Sequence, residues 1–257
     1  MRINNCLSMS NVVAVVFAHN ERSALPLTLQ ILNRYKQEGF IQHIVVVNDG
    51  SIDRTSEIAK SAGAIVINHA QNMGKRMSFV SGATQARKLG AQILLTFDAD
   101  IKKLPRETLR QMIGTVESGK KLMAIAQQHE VHVLDEPDEK SRVKDIHSNA
   151  QRAINMQALD PLFKEKTKWV EVMLTNKHKE TPDLIEGEYR WGLEYALDKL
   201  IPSNKVVKLP NIVITAPAFR EIKAKLQQSG ARSLVQSVFS TRLATARKIR
   251  EQRVRRK

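Results

Sequence analysis

The order of strong patterns in the first hundred residues constrains this chain most. Residues 11–17 are β-branched and almost wholly apolar, the signature of a strand buried on both faces. Residues 23–37 follow with Leu25, Leu29, Leu32 and Tyr35 at helical spacing, and Gly39 stands just beyond as a stop. The alternation repeats: strand 43–47, helix 51–61 stopped by Gly63, strand 64–67, helix 78–89, strand 92–97. Strands alternating with helices predict a mostly parallel sheet with helices on both faces. In such folds, ligands lie beyond the carboxyl ends of the strands. That rule singles out His19-Asn20-Glu21, Asn48-Asp49-Gly50-Ser51, the segment 68–76, and Asp98-Ala99-Asp100.

Farther along, the pattern predicts a helix at 105–118, a fifth strand at 122–126, a helix at 188–200 and a short edge strand at 205–210. Residues 127–185 show no clear period. With 42% hydrophobic and 26% charged residues in 257, a packed core is expected rather than a disordered chain. The longest apolar run is the seven residues 12–18. A membrane-crossing helix needs about 20. The first residues lack the layout of a secretory signal, and Cys6 is the single cysteine, which excludes disulfide scaffolds and cysteine-based zinc sites. The expected compartment is the cytoplasm.

Three motifs carry chemistry. Asp98 and Asp100 flank Ala99 at the end of a buried strand, which suits a hard cation, Mg²⁺ or Mn²⁺, that keeps positions open for phosphate oxygens. Asp49 closes the second strand, where a carboxylate can accept from a nucleobase or sugar hydroxyl; Gly50 permits the turn, and Ser51 or Asp53 can cap the next helix. Gln71-Asn72-Met73-Gly74-Lys75-Arg76 opens a helix, where exposed amides and two cations suit a phosphate.

In order and spacing these segments resemble the family 2 glycosyltransferases of the GT-A fold. The likeness rests on Ala18-His19-Asn20-Glu21, Asp49-Gly50-Ser51-Ile52-Asp53-Arg54-Thr55, Asn72-Met73-Gly74-Lys75 and Asp98-Ala99-Asp100, and spans residues 11–105. Trp191-Gly192-Leu193-Glu194 and Val206-Val207-Lys208-Leu209-Pro210 resemble, more loosely, a later pattern of dolichyl-phosphate-mannose and glucosyl-3-phosphoglycerate synthases. The resemblance implies an α/β GT-A fold and an inverting enzyme that moves a sugar from a UDP- or GDP-sugar. It implies that Ala18, Asn20 and Glu21 line the nucleoside pocket and that Asp49 holds the base. Gly74 and Lys75 then face the diphosphate, Asp98 touches ribose or metal, Asp100 binds metal, and Glu194 stands beside the acceptor as the candidate base. The acceptor classes it leaves open are a polyprenyl phosphate, a glycan and a small phosphorylated molecule.

Three departures from the family pattern stand out. Phe17 replaces a proline, Arg76 replaces a glycine and brings a bulky cation toward the diphosphate, and Lys102-Lys103 follow the Asp-Ala-Asp motif. A third protein ligand for the metal is not evident. A nucleotidyltransferase is one competing reading, although it normally places a glycine-rich loop after the first strand. A non-catalytic phosphate- or nucleic-acid-binding protein on a transferase domain is the other.

The net charge is +15, and residues 220–257 hold 12 basic and 2 acidic side chains. Apolar positions 235, 238, 239, 243, 246 and 249 recur there at helical spacing. A basic amphipathic helix of this kind suits an anionic membrane surface, giving peripheral attachment at the inner face. Homo-oligomer packing is the second reading, and nucleic acid is disfavoured because no aromatic residue follows Phe239. The organisation expected is a donor half at 1–115, an acceptor half of the same domain at 116–219, and this tail.

Overall fold

The computed structural model describes residues 10–131, 151–165 and 193–217. The tail at 220–257 and Trp191-Gly192 of the looser later motif lie outside the described residues.

Seven strands form one sheet: β1 Val12–Ala18, β2 His43–Asp49, β3 Ile65–His69, β4 Ile93–Asp98, β5 Met123–Val131, β6 Arg152–Asn155 and β7 Val206–Pro217. Their spatial order is β3-β2-β1-β4-β6-β5-β7. The strands β3, β2, β1 and β4 are parallel, so their carboxyl ends share one edge. The strand β6 runs antiparallel to both β4 and β5, and β7 pairs parallel with β5 across a register shift after Ala126.

Every residue of β1 is at most 8% exposed. Side chains alternate across a strand, so β1 builds two cores at once. Val12, Ala14, Val16 and Ala18 face Leu25, Leu29, Leu32 and Tyr35 of α1 (Leu25–Gln37), with Met112 and Val116 of α4 (Arg106–Glu117) in the same cluster. Val13, Val15 and Phe17 join Phe79 and Ala83 of α3 (Lys75–Lys88), Leu162 of α5 (Asp160–Lys164), and Leu193 and Leu197 of α6 (Leu193–Leu200). The remaining helix, α2 (Thr55–Ser61), packs beside α1. Burial at this level stabilises by roughly 1.5–3 kcal/mol per large aliphatic side chain. Phe17, in place of proline, packs against Phe79 with ring centroids 6.5 Å apart.

The expected strand–helix alternation is present, and four details differ. The helix α2 begins at Thr55 rather than 51, because Ser51 and Asp53 bond across to another loop. The helix α3 starts three residues earlier than the apolar pattern predicts, directly after Gly74. Of the helix expected at 188–200, the described part is Leu193–Leu200. The strand β6 lies in the unpatterned 127–185 stretch, where no period marks it, and β7 extends to Pro217.

Candidate active site

Three loops meet at the carboxyl edge of β1, β2, β3 and β4, and they are laced together by the motif residues. The backbone of Asn20 takes φ 56°, a left-handed conformation that asparagine tolerates better than most residues. Its N–H donates to Ser51 Oγ at 2.9 Å, and its Oδ1 accepts from the Ile52 N–H at 3.0 Å. Next along, the Glu21 N–H donates to Thr55 Oγ1 at 2.9 Å and the Arg22 N–H to Asp53 Oδ2 at 3.2 Å. His19 Nδ1 donates to the Asp49 carbonyl at 2.7 Å. Ser51, Asp53 and Thr55 therefore clasp the 20–22 loop.

Asp53 also accepts from the Thr55 N–H at 2.9 Å and from the Thr55 hydroxyl. Burial pushes the Asp53 carboxyl up. The Thr55 and Arg22 hydrogen bonds, aided by the Arg22 charge, outweigh it and hold the carboxyl below its ordinary value.

Asp49 ties this pair of loops to the third. It is 5% exposed. Its Oδ1 accepts from the Met73 N–H and from His69 Nδ1, both at 2.8 Å, and its Oδ2 accepts from the Gly74 N–H at 2.8 Å. Local pattern gives Asp49 no capping duty, yet it holds the turn before α3. Gly74 takes φ 87°, and its N–H is shared with Asn72 Oδ1 at 3.1 Å. Gly50, at φ 67°, lies so close to this turn that a Cβ on it would stand 2.3 Å from the Gln71 carbonyl carbon.

That turn delivers Lys75, whose Nζ pairs with Asp98 Oδ1 at 2.8 Å. Arg76 is only 2% exposed, so its side chain is inside the fold rather than on the open face of the loop. Asp98 is further held by Gln151: the Asp98 N–H donates to Gln151 Oε1 at 3.2 Å, and Gln151 Nε2 lies 3.5 Å from Asp98 Oδ2. Gln151 is fully buried. Because β6 is antiparallel, its start rather than its end lies at this edge, so an edge rule for parallel strands misses Gln151. Ala99 and Ile101 are buried on either side of Asp100, and the Ala99 carbonyl accepts from Thr28 Oγ1 at 2.7 Å. The Asp-Ala-Asp segment is thus pinned to α1 while both carboxylates stay partly exposed.

The structure brings Asn20, Glu21, Asp49, Gly74, Lys75 and Asp98 into one connected set of loops, with Asp100 two residues beyond Asp98. Ala18 ends β1 with its methyl in the α1-side core. Glu194 falls in the first turn of α6, which packs by Leu193 and Leu197 into the α3-side core; its side chain lies outside the described residues. Among the described residues, no cluster of three His, Cys, Asp or Glu side chains could hold a metal ion. Two carboxylates completed by phosphate oxygens and water nevertheless suit Mg²⁺, which seldom uses a full protein cage. Among the described residues, no helix is long and apolar enough to cross a membrane.

Similar proteins extend these observations. An uncharacterized protein of Methanocaldococcus jannaschii is 40% identical over 103 residues, 40% of this chain and 41% of that protein. A dolichyl-phosphate beta-glucosyltransferase of Trichomonas vaginalis is 37% identical over 97 residues, 34% of this chain and 29% of that enzyme. The chain therefore spans well under half the length of these relatives. Among solved structures, mannosyl-3-phosphoglycerate synthase from Rubrobacter xylanophilus superposes with a TM-score of 0.54 at 14% identity, covering 95% of this chain and 75% of that one, a likeness of fold. The family model described as glycosyl transferase family 2 matches residues 13–168, more than half of the chain, and it spans every loop just described; the chain belongs to that family.

Proposed function

We propose that this protein transfers a sugar, with inversion, from a nucleotide-sugar donor to a polyprenyl phosphate. Family membership supports the reaction class, and the dolichyl-phosphate enzyme among its relatives supports the acceptor. The observation that carries the donor site is the Lys75–Asp98 pair at the end of β4, with Asp100 two residues on.

In this reading Asn20, Glu21 and the main chain of Ala18 line the nucleoside pocket, and Asp49 contributes to it while holding the 72–74 turn. Lys75 places its ammonium against the donor diphosphate, whereas the Met73 and Gly74 amides, expected to be free for phosphate, are taken by Asp49. Asp98 and Asp100 would hold Mg²⁺ or Mn²⁺, which when bound supplies positive charge against the departing diphosphate. An acceptor phosphate is already anionic near neutral pH and attacks without a base. A hydroxyl acceptor, on a glycan or small molecule, needs one, and Glu194 is the candidate. The residues Lys102 and Lys103 favour an anionic acceptor.

Calorimetric titration with UDP-glucose and GDP-mannose, with and without Mn²⁺, tests the donor half. Metal-dependent binding of one donor, lost in Asp100→Ala, is expected. Salt-sensitive binding of any polyanion, with no metal dependence, would overturn the reading in favour of a phosphate-binding protein. Transfer of labelled sugar to a polyprenyl phosphate, and not to 3-phosphoglycerate, is the expected acceptor result. Glu194→Gln is expected to leave that transfer intact.

A further inference from the structure

One buried relay reaches the donor loop from behind. His69 ends β3 directly opposite Asp49 in the β2–β3 register. The histidine Nδ1 lies 2.8 Å from Asp49 Oδ1, and its Nε2 lies 2.9 Å from Ser81 Oγ on α3. A carboxylate only accepts, so Nδ1 carries the proton and donates; the Ser81 hydroxyl, which both donates and accepts, meets Nε2 on the far side of the ring. The ring and the carboxylate are each 8% exposed at the side chain. Asp49 in turn receives the Met73 and Gly74 amides, and these residues lead straight into Lys75.

We infer that His69 is a positioning residue for sugar transfer: through its Nδ1–H it fixes the Asp49 carboxylate in the one orientation that holds the 73–74 amides and so places Lys75. Ser81 fixes the ring from the other side. This rests on the donor-binding reading of the 72–75 loop. The order Asp–His–Ser shares the hydrogen-bond pattern of a hydrolase triad, but Ser81 sits inside α3, where the amides are used within the helix and no N–H pair is left for an oxyanion. The relay orients and does not attack.

The physical reason for the relay is the geometry of its hub. Asp49 Oδ1 has two donors and Oδ2 one. Without His69 the carboxylate can rotate about its Cβ–Cγ bond and release one amide. A hydrogen bond to a charged group contributes enough that losing it raises local opening of the turn roughly tenfold or more.

Four variants and two readouts test this: His69→Ala, His69→Asn, His69→Gln and Ser81→Ala, followed by amide hydrogen exchange at Met73 and Gly74 and by titration with uridine and guanosine diphosphates. Asparagine places an N–H near the position of Nδ1, whereas glutamine places one near Nε2. Expected is exchange faster by about tenfold in His69→Ala, near wild type in His69→Asn and still fast in His69→Gln, with diphosphate affinity falling in the same order. Ser81→Ala is expected to show a smaller shift of the same kind. Unchanged exchange in every variant, or Asn and Gln variants that behave alike, overturns the inference. Should His69→Ala fail to fold, the Asn–Gln comparison still decides. If the wild type binds neither diphosphate while the exchange pattern holds, the donor-site reading fails and the positioning of the 73–74 turn by His69 stands.

Discussion

Lys75 Nζ and Asp98 Oδ1 stand 2.8 Å apart, joining the turn that opens α3 to the end of β4, two elements the chain separates by 23 positions. In the proposed donor site a diphosphate beside this pair would compete with Asp98 for the ammonium. Lys75→Met should therefore weaken nucleoside-diphosphate binding by about tenfold or more, since a charge-assisted contact contributes roughly 1.5–3 kcal/mol. Binding of the bare nucleoside should change little. Parallel titrations with uridine and uridine diphosphate check this; equal losses for both would show that the lysine acts on the fold and not on the phosphates.

Gly50 is the tightest point between two of the loops. Its φ of 67° disfavours any Cβ, and a Cβ there would stand 2.4 Å from the Asn72 amide nitrogen. The atoms in the way are main chain and cannot swing aside. Gly50→Ala should destabilise by at least about 2 kcal/mol, combining the left-handed penalty with overpacking. Thermal unfolding would show it, and donor binding should fall with it because the 71–74 turn is displaced.

The close approach of α3 to β1 depends on Gly82, where an added methyl would lie 2.4 Å from Val15 Cγ1. The obstructing atom is here a side chain. Gly82→Ala alone should cost about 1–3 kcal/mol. Combined with Val15→Ala the two effects should sum to less than the separate losses, because the second change removes the atom struck by the first. A double-mutant cycle in urea measures the coupling, and strict additivity would contradict the packing described.

Asp53 gives a pH signature with a definite sign. Its carboxyl is held below its ordinary value of 3.8, so it favours the folded state when ionised. That contribution is fully present above the ordinary value and is lost as pH falls through the lowered one. Asp53→Asn should thus melt below the wild type at pH 7, and the gap should narrow below about pH 4. A gap that widens on acidification would mean that the Thr55 and Arg22 bonds do not favour the charged form.

Much of this arrangement is legible in the amino-acid sequence. Seven apolar residues at 12–18 must be buried on both faces, and helices between such strands force parallel pairing; the edge where Asp49, Lys75, Asp98 and Asp100 gather follows. What the amino-acid order does not disclose is which partner each polar group takes, because those partners are distant along the chain and chosen by the sheet's register. Ser51, Asp53 and Thr55 read as the entry to a helix but clasp the 20–22 loop. Asp49 reads as a ligand group but also anchors the turn before α3. His69 lies in the 68–76 segment, and only the β2–β3 register sets it beside Asp49. Gln151 lies in a stretch with no period at all and reaches Asp98 only because β6 runs backward. Local pattern determined the elements of the first hundred residues and the edge that holds the site, but left β6 unmarked. Tertiary pairing alone decided how its carboxylates are held, since a carboxylate bonds to whichever donors the fold brings within reach, however far away they lie along the chain.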